Sequence, residues 1–188
     1  MQTLRLFICV EIPHEIKRKI SMIQEQLKAI ETPIGWVRPD GIHLTLKFLG
    51  NISEEQVPDI KRCMSIAVDE ISPFVVNIKG GGVFPNLNYP RVIWLRLEDR
   101  TYSLFRLQKG IEDCLNKIGF EQEDRGFTPH LTLGRIKSLK GKNQLIRTIH
   151  LYKDIEVGQI TIDKIILMRS QLNPAGAIYT VLEEVLLK

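Results

Sequence analysis

The chain has 188 residues, enough for one well-buried domain or two small lobes that share a core. Hydrophobic residues make up 44% and charged residues 26%, the balance of a globular protein in water, and no apolar run reaches the ~18 residues a membrane-spanning helix needs. The net charge of +4 is mild: it suits a polyanionic substrate without requiring one, and no long Lys/Arg tract accompanies it.

The first element is the apolar stretch RLFICVEI, read as a strand. Glu11, Ile12 and Pro13 follow it with no small-residue cleavage site, so it makes a poor signal peptide. After Pro13, Ile16, Ile20, Ile23, Leu27 and Ile30 recur at steps of four and three, one face of an α-helix. GWVRPDG breaks that pattern, and IHLTLKFLG reads as a strand ending at Gly50. Ser53 and Gln56 have capping-box spacing ahead of a second helix striped by Val57, Ile60, Met64 and Val68, although Pro58 blurs its first turn. PFVVNIKG and RVIWLRLE read as strands around the loop GGGVFPNLNYP. Its glycines, Gly80 to Gly82, lack the Gly-Lys-Ser/Thr ending of a phosphate-binding loop and suggest a bulge or tight turn. Leu104, Leu107, Ile111, Leu115 and Ile118 mark a third helix, with Gly119 placed to end it. HLTLGRI is the next strand, and KIILMRSQL and IYTVLEEVLL close the chain as strands joined by a turn over 173–176. This order is not a regular βαβ alternation and implies an α+β fold with mostly antiparallel pairing.

The tetrapeptide HLTL occurs twice, at 43–46 and 130–133, and its two histidines are half of the four in the chain. Strand side chains alternate between faces, so His43 and Thr45 share one face while Leu44 and Leu46 share the other; His130 and Thr132 stand likewise against Leu131 and Leu133. Leucines can then bury while imidazoles and hydroxyls project into a groove. If the chain is built of two similar halves, one such strand from each brings two imidazoles and two hydroxyls to a shared cleft. That set suits phosphodiester chemistry: a neutral imidazole takes a proton from the attacking oxygen, and a charged one gives a proton to the leaving oxygen. A free imidazole titrates near pH ~6.5, so modest tuning supplies both states. The threonines can hold phosphate oxygens, and Arg135, five positions after His130, is the candidate cation for the charge that builds there.

A single His-apolar-Thr-apolar run should arise by chance in roughly a few per cent of chains this long, two independent copies in on the order of one in a thousand. His14 and His150 lack that context and read as surface or packing residues. Two histidines without Asp, Glu or Cys at ligand spacing make a poor metal site, so neither metal nor other cofactor is expected. Cys9, Cys63 and Cys114 are distant and odd in number, which suggests neither a zinc site nor a disulfide framework; small core positions in a reducing cytoplasm are expected instead.

In its motifs the chain resembles the two-histidine (2H) phosphoesterases, and among them the bacterial and archaeal RNA 2′,3′-cyclic phosphodiesterases, also called 2′-5′ RNA ligases. The resemblance runs through RLFICVEIP, WVRPDGIHLTLKFLGN, GVFPNLNYPRVIWLRL, FTPHLTLGR and SQLNPAGAIYTVLEEVLL, nearly the whole chain. It implies a single bilobal α+β domain over 1–188, with two pseudo-symmetric lobes of mainly antiparallel sheet flanked by helices around a central cleft. It implies hydrolysis of a terminal RNA 2′,3′-cyclic phosphate to a 2′-phosphomonoester without a metal, with ATP-independent 2′-5′ ligation as a companion activity. His43 would be the proton donor and His130 the proton acceptor; Thr45, Thr132 and Arg135 would hold the phosphate. The residues alone leave that order of donor and acceptor open.

Phe7 is a candidate for stacking on a base, with core packing as the alternative. Phe48 is weaker, because regular alternation puts it on the leucine face. Arg38, Lys47, Arg125 and Lys137 could border the groove, and Trp36 and Trp94 read most simply as core. The expected partners are RNA with cyclic-phosphate ends or small cyclic nucleotides, handled by a cytoplasmic monomer with no membrane association. The rival readings are a cyclic phosphodiesterase of small nucleotides, such as 2′,3′-cyclic mononucleotides, and a non-catalytic RNA- or nucleotide-binding module.

Overall fold

The computed structural model describes residues 3–124, 126–173 and 176–188. Arg125 and positions 174–175 of the expected turn lie outside the described residues. In chain order the elements are β1 (Thr3–Glu11), α1 (His14–Lys28), β2 (Ile34–Trp36), β3 (His43–Ser53), α2 (Val57–Val68), β4 (Phe74–Phe84), β5 (Val92–Glu98), α3 (Ser103–Lys117), β6 (His130–Ile136), α4 (Lys142–Leu151), β7 (Glu156–Ile162), β8 (Lys164–Asn173) and β9 (Gly176–Leu186).

Local signals place most of these. The stripe on α1 buries Ile16, Ile20, Ile23 and Leu27. The capping box forms as its spacing implies: Ser53 N–H donates to Gln56 Oε1 at 3.0 Å and Glu55 N–H to Ser53 Oγ at 3.4 Å. It heads a short 3-10 turn that runs into α2, where Pro58 sits in the first turn and no intrahelical N–H is missed. The glycines at 80–82 do form a bulge, with Gly80 at φ +82° and the β4–β5 register shifting between Ile78 and Gly81.

The strands form one sheet in the order β7-β4-β5-β6-β3-β1-β8-β9, with β2 also on β6, and every pairing is antiparallel. The α+β expectation therefore holds, and the halves belong to one sheet rather than two. They meet at the junction of β3 and β6, where the register contains a single pair, Leu44 opposite Leu131. On one side of the sheet, Leu4, Leu6, Ile8 and Val10 of β1 join Leu44, Leu46, Leu131, Leu133 and the apolar stripes of the helices in the main core. On the other side Phe7, Cys9, Ile166 and Met168 form a smaller cluster. Burying a leucine contributes about 1.5–3 kcal/mol, and a one-residue slip would turn the HLTL leucines to the opposite face.

Three expectations are corrected. GWVRPDG, read as a break, contains β2, whose three residues are held by pairing with β6. The helix α4 was not expected, because its buried residues are Leu145 and Ile149 alone, too sparse a stripe to register. Cys63 and Cys114 form a disulfide across α2 and α3, with Cα atoms 5.4 Å apart, inside the usual span. They lie 51 positions apart in sequence, so only the packing of the two helices brings the thiols together. That pairing removes the support that unpaired cysteines lent to a reducing compartment. Cys9 is free and buried. Among the described residues no helix is long and apolar enough to cross a membrane.

Candidate active site

The lone β3–β6 pair joins equivalent residues, since Leu44 and Leu131 are the second positions of the two HLTL copies. A pseudo-twofold axis therefore passes between them. Antiparallel order about that pair sets His43 across from Thr132 and Thr45 across from His130, each histidine facing the other copy's threonine. Regular strand spacing puts the two histidine Cα atoms roughly 8 Å apart on a diagonal. All four leucines are at most 2% exposed, while all four polar side chains are half-buried on the opposite face. One cleft of about 370 Å³ is lined by His43, Thr45, His130, Thr132 and Arg135 together.

Alternation alone would send Arg135, at an odd offset from His130, to the leucine face. A bulge reverses this. Against β5, Thr132 pairs with Trp94 and Gly134 with Ile93, leaving Leu133 extra. A Cβ at position 134 would lie 2.7 Å from Ile34 and 3.0 Å from Trp36, so glycine there lets β2 cross close to the bulge. The same bulge occurs in the other half: against β1, Thr45 pairs with Cys9 and Lys47 with Ile8, leaving Leu46 extra. Phe48 is thereby turned to the histidine face, where it lines the cleft at 60% exposure. The expectation that put Phe48 on the leucine face is corrected by this one extra residue.

Bulging also removes Lys47 from the groove. It is 3% exposed, and its Nζ donates to Glu112 Oε2 at 2.8 Å and to the Glu121 carbonyl at 2.7 Å, tying β3 to α3. Arg38 stands in a neighbouring recess that Arg135 and Tyr179 also line. Lys137 is not among the cleft residues; its stem runs over Gly35. Trp36 packs against the core as expected, whereas Trp94 shares the face of its register partner Thr132 and does not belong to the core.

The two imidazoles are held alike and surrounded differently. His130 Nδ1 lies 2.7 Å from the Thr128 carbonyl, two residues back, so Nδ1 carries hydrogen and Nε2 is left for substrate. His43 also hydrogen-bonds backbone two residues back, at Gly41. Phe7 stacks on His43 with ring centroids 4.7 Å apart, and Tyr179 stands edge-on at 5.3 Å. That burial lowers the His43 pKa to about 4; the Gly41 bond opposes the shift and the Lys17 charge adds to it. Phe7 is itself 3% exposed, so its ring backs the imidazole, and the aromatic surface open to a base is that of Phe48.

Among the cleft residues that escaped sequence reasoning are Arg5 and Tyr179. Arg5 lies two positions before Phe7 on β1, and alternation from Phe7 would have found it. Tyr179, on the last strand, carried no such signal. Burial raises its pKa, while Arg135 and Arg5 pull it down, which places both guanidinium groups near the phenol. Among the described residues, the hydroxyls of Thr45 and Thr132 and the guanidinium groups of Arg5 and Arg135 have no hydrogen-bond or ion-pair partner in the protein. Two cations and two hydroxyl donors converging on one recess make an anion site. No three His, Cys, Asp or Glu side chains gather as a metal site among the described residues.

A family profile described as "LigT like Phosphoesterase" matches this chain twice, over residues 10–94 and 97–179. The matches begin 87 positions apart, the same interval that separates His43 from His130, which supports the duplication. The chain is 36% identical over 180 residues to a protein of Methanothermobacter thermautotrophicus named RNA 2′,3′-cyclic phosphodiesterase, covering 95% of this chain and 96% of that one. It is 38% identical over 182 residues to a protein of the same name from Methanocaldococcus jannaschii, covering 96% and 99%. Among solved structures it is similar to the TT0787 protein of Thermus thermophilus, with TM-score 0.83, 29% identity and 98% of each chain covered.

Proposed function

This chain belongs to the LigT-like phosphoesterases, and from that premise we propose that it hydrolyses the 2′,3′-cyclic phosphate at the end of an RNA chain to a 2′-phosphomonoester. The observation that carries the reading is the twofold arrangement of His43/Thr45 and His130/Thr132 in one cleft with Arg135. Archaeal relatives named for this activity support it. We take residues 1–188 as one bilobal unit.

In this mechanism His130, oriented by Thr128, takes a proton from the attacking water through Nε2. The water oxygen bonds to phosphorus, the P–O3′ bond breaks, and His43 gives its proton to O3′. Thr45, Thr132 and Arg135 hold the non-bridging oxygens, with Arg5 at the rim, and donors fixed before reaction stabilise charge that grows in the transition state. The donor role places a demand on His43, whose pKa of about 4 leaves it neutral near pH 7 in the free protein. The bound phosphate supplies the answer: an anion beside the ring favours its charged form, so His43 takes up its proton as substrate binds. No step requires a metal. A 5′-hydroxyl of a second strand in place of water would form a 2′-5′ linkage, the strained ring replacing ATP as the source of a leaving group.

The test is to incubate the protein with chelator and an RNA ending in a 2′,3′-cyclic phosphate, with a 2′,3′-cyclic mononucleotide alongside. Appearance of RNA 2′-phosphate is expected. Turnover of the mononucleotide alone would move the assignment to small nucleotides, and binding without turnover to a binding module.

A further inference from the structure

A second groove, of about 630 Å³, opens beside the cleft, between the β4–β5 loop and the C-terminal end of α4. Gly82, Asn88, Trp94, Arg96, His150 and Lys153 are among the residues that line it, and none of the lining residues is acidic. Trp94 is the register partner of Thr132 and Arg96 that of His130, so both look out from the face that carries the histidine. Phe84 joins the two sites. Its ring stacks on Trp94 at 4.8 Å and stands edge-on to His130 at 5.0 Å.

The groove floor is built around the indole. Gly82 is paired with Trp94, and a Cβ there would come within 2.6 Å of the ring, so only glycine leaves room for the indole against β4. The indole N–H is buried and has no acceptor among the described residues. A polar anchor therefore does not explain the residue; its contribution is broad apolar surface. The Arg96 guanidinium lies over that ring at 5.9 Å, with the Glu98 carboxylate 3.8 Å away. Lys153 is exposed and makes no ion pair among the described residues.

The pseudo-twofold axis sharpens the contrast. In the other half, the position equivalent to Arg96 is Glu11, paired with His43, and the position equivalent to Trp94 is Cys9, paired with Thr45. At these two stations β5 carries a guanidinium and an indole where β1 carries a carboxylate and a small thiol. We propose that the groove over Trp94, edged by Arg96 and Lys153, holds the nucleotide that precedes the cyclic-phosphate end, an inference that rests on reading the cleft as an RNA-end phosphodiesterase. An aromatic platform accepts any base by stacking, and flanking cations follow the backbone phosphate. The RNA chain then leaves the reacting phosphate past Phe84 toward Trp94.

Binding of a nucleoside 2′-phosphate and of a dinucleotide ending in a 2′-phosphate, measured by calorimetry on the intact protein, tests this. The dinucleotide is expected to bind at least about tenfold more tightly, the scale of one base–aromatic stack. Lys153→Glu and Arg96→Gln should each shrink that preference several-fold. Equal affinities, or a preference that survives both substitutions, would overturn the proposal. Turnover of the matching cyclic substrates separates the two readings. A dinucleotide preference without turnover of either substrate leaves the groove standing and sinks the phosphodiesterase; turnover without preference does the reverse.

Discussion

Phe48 and Arg135 hold equivalent stations in the two halves of the sheet, each five residues after its histidine and each turned into the cleft by one extra leucine. A shared backbone device thus presents two different chemistries: an open ring on one side and a cation on the other. Their substitutions should separate in kinetics. Phe48→Ala is expected to raise KM about 5- to 100-fold with kcat little changed, since a lost stack costs about 1–3 kcal/mol of binding. Arg135→Ala should lower kcat about 100-fold or more, because its donors meet charge that develops in the transition state. Steady-state kinetics on one cyclic substrate decides. A kcat loss for Phe48→Ala with KM intact would place that ring outside base binding.

His43→Ala and His130→Ala should each reduce the rate at least about 100-fold, the low end for one acid–base group. Both side chains border an open cleft, so thermal unfolding of His130→Ala should stay close to that of the native protein. A large stability loss with a small rate loss would mean that the imidazoles are packing residues.

The environment of His43 sets a pH dependence of stability. Its folded pKa, lowered to about 4 by burial, lies below the ordinary value of 6.5, so the unfolded chain binds the proton more readily. Stability from this group is complete above pH 6.5 and lost as pH falls toward 4. The full span corresponds to about 3 kcal/mol. Urea unfolding at pH 7 and pH 4.5 should show a smaller acid loss for His43→Gln than for the native protein. An NMR titration should find the His43 ring protonating near pH 4 in the free protein and at higher pH with a nucleoside 2′-phosphate bound. An unchanged titration in the complex would remove His43 as proton donor.

Lys47 and Glu112 make a buried ion pair, with side chains 4% and 10% exposed and 2.8 Å between charges. Gln108 completes the carboxylate's bonding at 3.1 Å. Lys47→Met alone leaves Glu112 without its cation and should cost about 3–5 kcal/mol. The double change Lys47→Met and Glu112→Leu should recover most of that loss. Denaturant unfolding of the three variants checks it, and a single variant within about 1 kcal/mol of native would show that water reaches the carboxylate.

The sequence carried the duplication, the leucine core and the histidine pair, because period-two alternation over HLTL is local and strong. It could not carry the bulges after Thr45 and Thr132. A bulge is a relation between two strands, and neither LKF nor LGR announces that one leucine will go unpaired. That one missing fact moved Phe48 to the wrong face and left Lys47 in the groove. Arg135 is picked out in the sequence by its distance from His130 and by the family resemblance, against what alternation alone would give. Tyr179 comes from the last hairpin, and nothing near it in sequence points to the cleft. Trp94 was assigned to the core because an isolated indole in an apolar strand gives no sign of which face it takes.

The Cys63–Cys114 disulfide was likewise hidden, because pairing over 51 positions depends on how α2 packs on α3. Cross-linking positions that far apart restricts the unfolded chain and should stabilise the fold by about 4 kcal/mol in the loop-entropy account. Cys63→Ser with Cys114→Ser should therefore lower the urea midpoint with little effect on kcat, since neither cysteine lines the histidine cleft. Thiol titration of the native protein under denaturing conditions should find one free thiol, Cys9, without reductant and all three cysteines with it. The comparison must be made in urea rather than by activity, because the helices that carry the bond lie behind the sheet while the histidine cleft lies in front of it. Three thiols in the unreduced protein would show that the two helices pack without the bond and that Cys63 and Cys114 act only as small core residues.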